Sequence, residues 1–263
     1  MAGNVYGLRL LRRPAIQSRA IWTIAIVLAV ARVLQLLGVE PERVAYDFRW
    51  YWVAAGNLLH GQSIYSPEQL GGPYAPQGQL GFLYPPPLAA LVIPFRLVSP
   101  TDDVVGWAIW AWLAAIVGGV SILALARERR LALRFPVLGG SSGAALLLLF
   151  AFALPEVLDE LINGNVHLYL LGLFTVAWLG VAEHPFGGRA SPRRGEQLAG
   201  LAIGIASVIK LFPAIVLLWF LLTGRRTAAA WTVIGAAALA LIALPVTGIQ
   251  PWLDFPTVLA NMS

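Results

Sequence analysis

The sequence predicts an all-α membrane protein, a bundle of roughly six to eight transmembrane segments, some of them short or broken. Hydrophobic residues make up 59% of its 263 residues and charged residues only 12%, about half the charged fraction of an ordinary soluble domain. Several apolar runs approach the ~20 residues that a helix needs to cross the hydrocarbon core. The runs are rich in Leu, Ala and Val without alternation, which favours helices over a closed barrel.

The apolar runs follow the chain in order, and the clearest are residues 20–38, 105–126, 166–182 and 228–247. The first run follows Arg19 without a small-residue cleavage pattern, which indicates an uncleaved anchor. Residues 82–98 contain Pro94 and Arg96, so we expect this segment to enter the membrane only partway. Lys210 and Pro213 interrupt the run 198–222, which predicts two half-helices there.

Arginine residues cluster in four places, at 9–19, 127–134, 189–194 and 225–226. The positive-inside tendency places all four clusters in the cytoplasm, if an even number of crossings separates them. Residues 1–263 then form a single transmembrane domain, multi-pass in a plasma membrane that we take to be bacterial. In this arrangement the connection 40–85 is the main external loop.

The formal net charge of +5 and the absence of Cys exclude some functions. Most Arg residues lie in short loops, where they set orientation, so no nucleic-acid partner is implied. Without Cys, the chain has neither a disulfide framework nor a thiolate metal site.

The first half of the external loop has the pattern of an amphipathic helix lying along the membrane surface. Its apolar stripe has helical spacing and consists of Val44, Phe48, Trp52, Ala55 and Leu59. Gly61 is the expected C-cap.

Asp47 is the candidate acid of this helix, at membrane-surface depth beside aromatic rings that can stack on a sugar. The alternative is a local ion pair with Arg43 or Arg49. Tyr84 precedes three Pro residues whose role is mainly to start a helix.

Two further polar features interrupt the apolar pattern. Acidic residues at 156–160 precede the sequence Asn163-Gly164-Asn165-Val166-His167, directly before an apolar helix. An ordinary exposed loop is the alternative here, and a cation site is a weaker one. Lys210 lies deep in an apolar run, where an ammonium costs roughly 3 kcal/mol. It either reaches the interface from a half-helix end or binds an anion such as phosphate.

Four of these segments together resemble glycosyltransferase family 87, the polyprenyl-phosphate-sugar-dependent mannosyltransferases of the GT-C superfamily. They are D-F-R-W-Y-W-V-A-A-G-N-L-L-H-G-Q-S-I-Y from Asp47, F-L-Y-P-P-P-L-A-A-L from Phe82, N-G-N-V-H from Asn163 and K-L-F-P from Lys210. They occur in the family's order and cover nearly the whole chain. Two departures stand out: Gly164-Asn165-Val166-His167 replaces the family's usual G-Q-V-N, and members are commonly longer, so the chain resembles an N-terminal part.

The resemblance implies an inverting transfer of a sugar, most commonly mannose, from a polyprenyl-phosphate donor to a lipid or glycan acceptor at the outer face. By position, Asp47 is the catalytic base, and no metal or other cofactor is needed if cations stabilise the departing phosphate. Lys210, by motif, and Arg49, by proximity, are the candidate cations. The remaining substrate-binding candidates are Trp50, Tyr51, Tyr84, Asn163, Asn165 and His167. Arabinose and glucose are alternative sugars.

Two other functions remain open from the sequence. A transporter or flippase for a lipid-linked sugar uses broken helices and a midplane Lys. A non-catalytic membrane subunit fits the short length.

Overall fold

The computed structural model describes residues 14–38, 44–72, 81–127, 140–182 and 190–261. Within these ranges all regular secondary structure is helical and no β-strand occurs, which confirms the predicted all-α class. The twelve α-helices there are α1 Pro14–Leu37, α2 Tyr46–Leu59, α3 Pro67–Gly71, α4 Pro86–Val98, α5 Asp103–Ala126, α6 Gly140–Ala153, α7 Pro155–Asn163, α8 His167–Gly180, α9 Pro192–Ile209, α10 Ile215–Leu222, α11 Arg226–Thr247 and α12 Gln250–Asn261.

Helices α5 and α11 are long and apolar enough to cross a membrane. Helices α7 and α8 pass the same test as a pair but are bent by 114° at the break between them, so two or three spans are found among the described residues. Shorter apolar helices accompany them at Pro86–Val98, Ser142–Ala153 and Phe212–Leu222, in agreement with a predicted bundle in which some segments are short or broken.

The predicted break in the run 198–222 is confirmed. Helix α9 ends at Ile209, Lys210 is extended, and a 3-10 turn over Phe212–Ala214 leads into α10. Arg225, just after α10, has its Nη1 atom 3.5 Å from Glu196 Oε1 in the first turns of α9. The segment is therefore a hairpin that returns to the end of the bundle where it began.

The described Arg residues of three predicted clusters lie at this end of the bundle: Arg127, Arg193, Arg194, Arg225 and Arg226. Leu125, Val181 and Trp219 line one apolar cavity of about 400 Å³, which places the C-terminal ends of α5, α8 and α10 together, with Arg127 directly after α5. Most of the clusters at 9–19 and 127–134, and Arg189 of the third cluster, lie outside the described residues. We call this the basic end.

Helix α4 stays at the opposite end. Tyr84, just before α4, lies edge-on to Tyr51 of α2 with ring centroids 5.0 Å apart. Just after α4, the Ser99 carbonyl accepts a hydrogen bond of 3.2 Å from Trp52 Nε1 of the same helix α2. Because both ends of α4 lie beside α2, this segment does not carry the chain to the basic end.

Helices α9 and α11 run parallel and pack at very short distance. A Cβ atom at Gly200 or at Gly204 would collide with backbone carbonyl oxygens of α11, those of Ala228 and Thr232 respectively. A Cβ at Gly235 would lie 2.9 Å from the Leu201 oxygen. Small residues at such crossings let two backbones approach, as is common between membrane helices.

Candidate active site

Helix α2 brings Asp47 to the end of the bundle opposite the basic end. Ala45, with φ of 65°, precedes the helix and donates its N–H to the Ile162 carbonyl at a distance of 2.7 Å. Val44, Phe48 and Ala55 of the predicted apolar stripe are buried against the bundle, whereas Leu59 is exposed. The helix ends with His60 as C-cap, so Gly61, predicted as the cap, follows it with φ of 66°.

The sharp bend between α7 and α8 depends on Gly164. Its φ is 69°, and a Cβ atom there would lie 2.7 Å from Phe48 Cβ and 2.9 Å from Trp107 Cδ1. Trp107 Nε1 also donates to the Leu161 carbonyl at 2.8 Å. The bend therefore presses the start of α8 against α2 and brings Asn165 to Asp47.

Asn165 holds the Asp47 carboxylate. Its Nδ2 atom donates to Asp47 Oδ2 at 2.6 Å. Its Oδ1 atom accepts from the Val166 backbone N–H at 2.7 Å and from the Tyr84 hydroxyl at 3.3 Å. Because both ends of the amide are bonded, its orientation is fixed, and so is the carboxylate that it holds.

Asp47 lies on the short helix α2, outside the membrane-spanning segments, and burial raises the pKa of its carboxyl. The Asn165 hydrogen bond opposes this rise, because it stabilises the ionised form. Negative charge on Glu160 adds to the rise, while the Lys210 ammonium opposes it. A carboxylate with a raised pKa is a better proton acceptor than an exposed one.

Three charged or titratable side chains form a row beside this pair. The Nδ1 atom of His167 lies 2.9 Å from Glu160 Oε2 and 3.0 Å from Oε1, and the His167 backbone N–H donates to Oε1 at 2.7 Å. The Nζ atom of Lys210 lies 2.8 Å from His167 Nε2 and 5.3 Å from the centre of the Tyr84 ring. The break after α9 thus places the ammonium at the Asp47 end of the bundle.

A cavity of about 370 Å³ opens between these elements. Its lining residues are Tyr46, Asp47, Trp50, Tyr51, Gly81, Leu83, Tyr84, Pro85, Lys210, Leu211, Phe212, Phe255 and Leu259. Asp47 and Lys210 are the charged groups of this lining, and the side chains of Leu211, Phe212, Phe255 and Leu259 give it an apolar wall. The cavity can therefore hold a molecule with a polar, anionic part and a hydrocarbon part.

Not all the predicted site residues meet there. Trp50, Tyr51 and Tyr84 line the cavity, with the Tyr51 side chain fully buried. Asn165 and His167 contact lining residues without lining it themselves. Asn163, the last residue of α7, is not part of the lining.

Arg49 lies away from the cavity. Its Nε atom pairs with Asp103 Oδ2 at 2.6 Å, at the start of α5. The alternative of a local ion pair with Asp47 is therefore not realised by Arg49. Arg43, the other candidate, lies outside the described residues.

Sequence reasoning did not assign roles to Glu160 or to the α12 wall. Glu160 was one of several acids in a polar stretch, and only the bend at Gly164 distinguishes it from the others. Phe255 stacks on Tyr65 with ring centroids 6.1 Å apart, and Asn261 Nδ2 donates to the Gln69 carbonyl at 2.9 Å. No sequence pattern reveals that these contacts fold α12 onto α3 and onto Tyr65 shortly before it.

A bound cation was the weaker alternative for the acidic stretch. Among the residues with described placement, no group of three or more His, Asp or Glu is arranged to hold a metal ion. Glu160 instead bonds to His167.

Comparison with known proteins gives one match. The model of glycosyltransferase family 87 matches residues 82–263, more than half of the chain. The matched region contains Tyr84, Asn165, His167 and Lys210, while Asp47 precedes it. No curated protein and no solved structure matches the chain.

Proposed function

The chain belongs to glycosyltransferase family 87, and from that premise we propose that it transfers a sugar, mannose in the first instance, from a polyprenyl phosphate to a lipid or glycan acceptor. Its membership and its apolar helices make it an integral membrane glycosyltransferase. The proposal adds the donor, the sugar, the inverting course and a metal-independent mechanism. The observation that carries it is the single cavity that joins Asp47, Lys210 and an apolar wall.

In this reaction Asp47 is the general base. The acceptor hydroxyl oxygen attacks the anomeric carbon and its proton passes to the Asp47 carboxylate. The bond between the anomeric carbon and the phosphate oxygen breaks, and its electron pair leaves with the lipid phosphate on the opposite side. The raised pKa of Asp47 and its fixed bond to Asn165 support this role, since a base must be both positioned and able to take the proton.

Lys210 binds the leaving phosphate. Its ammonium is a compact charge with three donors and no acceptor, and it borders the cavity at the start of the apolar wall. A cation placed where negative charge develops stabilises the transition state. No step of this mechanism uses a metal ion or another cofactor.

The apolar wall suits the first isoprene units of the donor. Leu211 and Phe212 follow Lys210 directly and are about half exposed, so a chain attached to a phosphate at Lys210 meets hydrocarbon at once. Phe212 stacks on Phe174 with ring centroids 6.1 Å apart. Because Phe174 also lines the apolar cavity near the basic end, the contact continues the hydrocarbon surface along α8 and α10.

The sugar occupies the aromatic part of the cavity. Trp50 and Tyr84 line this part next to Asp47, with the buried Tyr51 edge-on to Tyr84, and aromatic faces pack well against the C–H faces of sugar rings. With the basic end in the cytoplasm, as the positive-inside tendency favours, the cavity opens at the outer face. The chain is then a multi-pass protein of a bacterial plasma membrane.

The test is sugar transfer in membranes that carry the full chain. Labelled polyprenyl-phosphate mannose is the donor, a lipid extract is the acceptor pool, and the glucose and arabinose donors run in parallel. Wild type is compared with Asp47→Asn and with the matched control Asp159→Asn, an exposed acid of α7 outside the cavity lining. Loss of a general base lowers a rate by about 10²–10⁴-fold.

Transfer by wild type and by the control, with this loss in Asp47→Asn at equal expression, supports the proposal. Equal transfer by all three removes Asp47 from the mechanism. Transfer from a nucleotide sugar but from no polyprenyl-phosphate sugar contradicts the donor class. Movement of the lipid-linked donor across the membrane without transfer favours a flippase, and neither activity favours a non-catalytic subunit.

A further inference from the structure

The row Glu160–His167–Lys210 connects two bends of the chain. Glu160 lies in the last turn of α7, His167 is the first residue of α8, and Lys210 follows α9 at the break of the hairpin. Of the three side chains, Lys210 alone lines the cavity. Glu160 and His167 therefore act on any bound molecule through Lys210.

The hydrogen-bonding capacities of the three groups define how the protons are arranged. A lysine ammonium has donors and no acceptor, so at 2.8 Å from His167 Nε2 it donates to a ring nitrogen that carries no proton. The ring proton is then on Nδ1, which lies 2.9 Å from Glu160 Oε2. An ionised carboxylate is an acceptor only, so every contact in the row has one donor and one acceptor.

We propose that Glu160 is a positioning residue, which holds neutral His167 with its proton on Nδ1 so that Nε2 orients the Lys210 ammonium toward the cavity. The role of this ammonium in binding the donor phosphate rests on the proposed function; the proton arrangement does not. Metal sites use the same arrangement: a carboxylate accepts one ring N–H of a histidine and thereby fixes which nitrogen faces the metal. Here the oriented group is a cation.

The arrangement preserves the charge that the site needs. A carboxylate in direct contact with Lys210 would neutralise the ammonium and compete with a phosphate for it. A neutral imidazole between them instead keeps Lys210 in place by a hydrogen bond while the Glu160 charge stays one residue away. The ammonium has two further N–H donors for the phosphate oxygens.

The Glu160→Gln variant tests the assignment because it changes one oxygen into a donor. The carbonyl oxygen of Gln can keep the bond to the His167 backbone N–H, now made by Glu160 Oε1 at 2.7 Å. Its NH₂ group then occupies the position of Oε2, 2.9 Å from Nδ1, where a donor opposes a proton on Nδ1, while the carbonyl oxygen, 3.0 Å from Nδ1, is already shared with the backbone N–H. This moves the ring proton to Nε2. There it faces the N–H donors of the Lys210 ammonium, so the hydrogen bond between the two residues is lost. The matched control is Glu156→Gln, an exposed acid at the start of the same helix.

The first readout is the nitrogen NMR spectrum of His167 in the full chain, reconstituted with ¹⁵N-labelled histidine. The sequence has three His residues, so His60→Gln and His184→Gln in the background leave one ring. Protonated and bare ring nitrogens resonate far apart, and their couplings to the ring protons distinguish Nδ1 from Nε2. We expect a protonated Nδ1 and a bare Nε2 in the parent and in Glu156→Gln, and the opposite in Glu160→Gln.

The second readout is the affinity for farnesyl phosphate, a short prenyl phosphate without sugar, measured beside inorganic phosphate to separate the lipid from the free anion. We expect Glu160→Gln to weaken farnesyl phosphate binding by about tenfold or more, as the loss of an orienting partner does at metal sites. We expect Glu160→Asp to recover part of it and Glu156→Gln to bind like the parent.

Either of two results overturns the inference. One is a parent spectrum with both ring nitrogens protonated, or with the proton on Nε2. The other is a Glu160→Gln chain whose spectrum and phosphate affinity match those of the parent. Both readouts are independent of sugar transfer, so a chain that shows the expected spectrum and binding but transfers no sugar contradicts the proposed function and leaves the role of Glu160 standing.

Discussion

The Asp47 carboxylate accepts a 2.6 Å hydrogen bond from the side-chain amide of Asn165, a residue 118 positions further along the chain. The same amide accepts from the Tyr84 hydroxyl and from the Val166 backbone N–H. One Asn thus connects helix α2, the segment before α4 and the bend before α8. The four sequence segments that resemble the family meet around this amide and the neighbouring Lys210.

Replacing Asn165 with Ala shifts the pH dependence of transfer. The rate depends on ionised Asp47, so it rises as the pH increases through the pKa of this carboxyl. The Asn165 hydrogen bond lowers that pKa against the effect of burial, and its removal raises the pKa further. The acid limb of the pH profile is therefore expected to move to higher pH. The control is Asn57→Ala, which loses a hydrogen bond to the Ser63 carbonyl, and an unmoved acid limb in Asn165→Ala contradicts the prediction.

Replacing Lys210 with Met removes the cation but keeps most of the hydrocarbon stem. We expect transfer to fall by about 10²–10³-fold, the usual effect of removing one group that stabilises developing negative charge. Lys210→Arg keeps the charge and is expected to retain more activity than Met. Transfer rates at saturating donor, measured at equal expression, decide between them, and equal rates for Met and wild type remove Lys210 from the reaction.

Arg49→Gln is expected to leave transfer nearly unchanged. The guanidinium pairs with Asp103 and does not line the cavity, and its side chain is 45% exposed. An exposed ion pair contributes about 0–1 kcal/mol to folding, so thermal stability in detergent is also expected to change little. A large loss of transfer with unchanged stability would instead return Arg49 to the list of phosphate ligands.

Gly204→Ala is expected to destabilise the bundle. The added Cβ meets the Thr232 carbonyl and lies 2.7 Å from the Ala236 nitrogen, so α9 and α11 must move apart. Overpacking of this kind costs about 1–3 kcal/mol, which is measured as a lower temperature of thermal unfolding. Gly119→Ala is the control, since the nearest atom to its Cβ is Leu148 Cδ1 at an ordinary 3.8 Å. Equal unfolding temperatures for the two variants argue against close packing at Gly204.

The sequence predicted well those features that follow from local physical chemistry. Apolar composition predicted the helical class, the apolar stripe predicted α2, and Lys210 with Pro213 predicted the break after α9. Each of these depends on residues close together in the chain. The expectation that some segments are short or broken also follows from local residues, since Pro94, Arg96, Lys210 and Pro213 interrupt the apolar runs, and shorter apolar helices accompany the candidate spans.

The arrangement of the candidate site followed only in part. The sequence gives no distance between Asp47 and Asn165, and the choice of Asp103 as the partner of Arg49 depends on how α2 packs on α5. The wall formed by α12 depends on contacts such as Phe255 with Tyr65, which are remote in sequence and follow no periodicity. These are tertiary contacts, and a single sequence contains no direct record of them.

The hairpin of α9 and α10 has a consequence for biosynthesis. Neither half alone has an apolar stretch as long as a full crossing, since the first turns of α9 are polar, and Lys210 at the tip is unfavourable in hydrocarbon until it reaches His167. We therefore expect the two halves to leave the translocon together, after α8 is already in the bilayer and able to receive the tip. When the ribosome is stalled just after residue 225, the hairpin is then expected to be protected from water-soluble reagents. When it is stalled before α10 has emerged, α9 is expected to stay accessible to such reagents from the aqueous side.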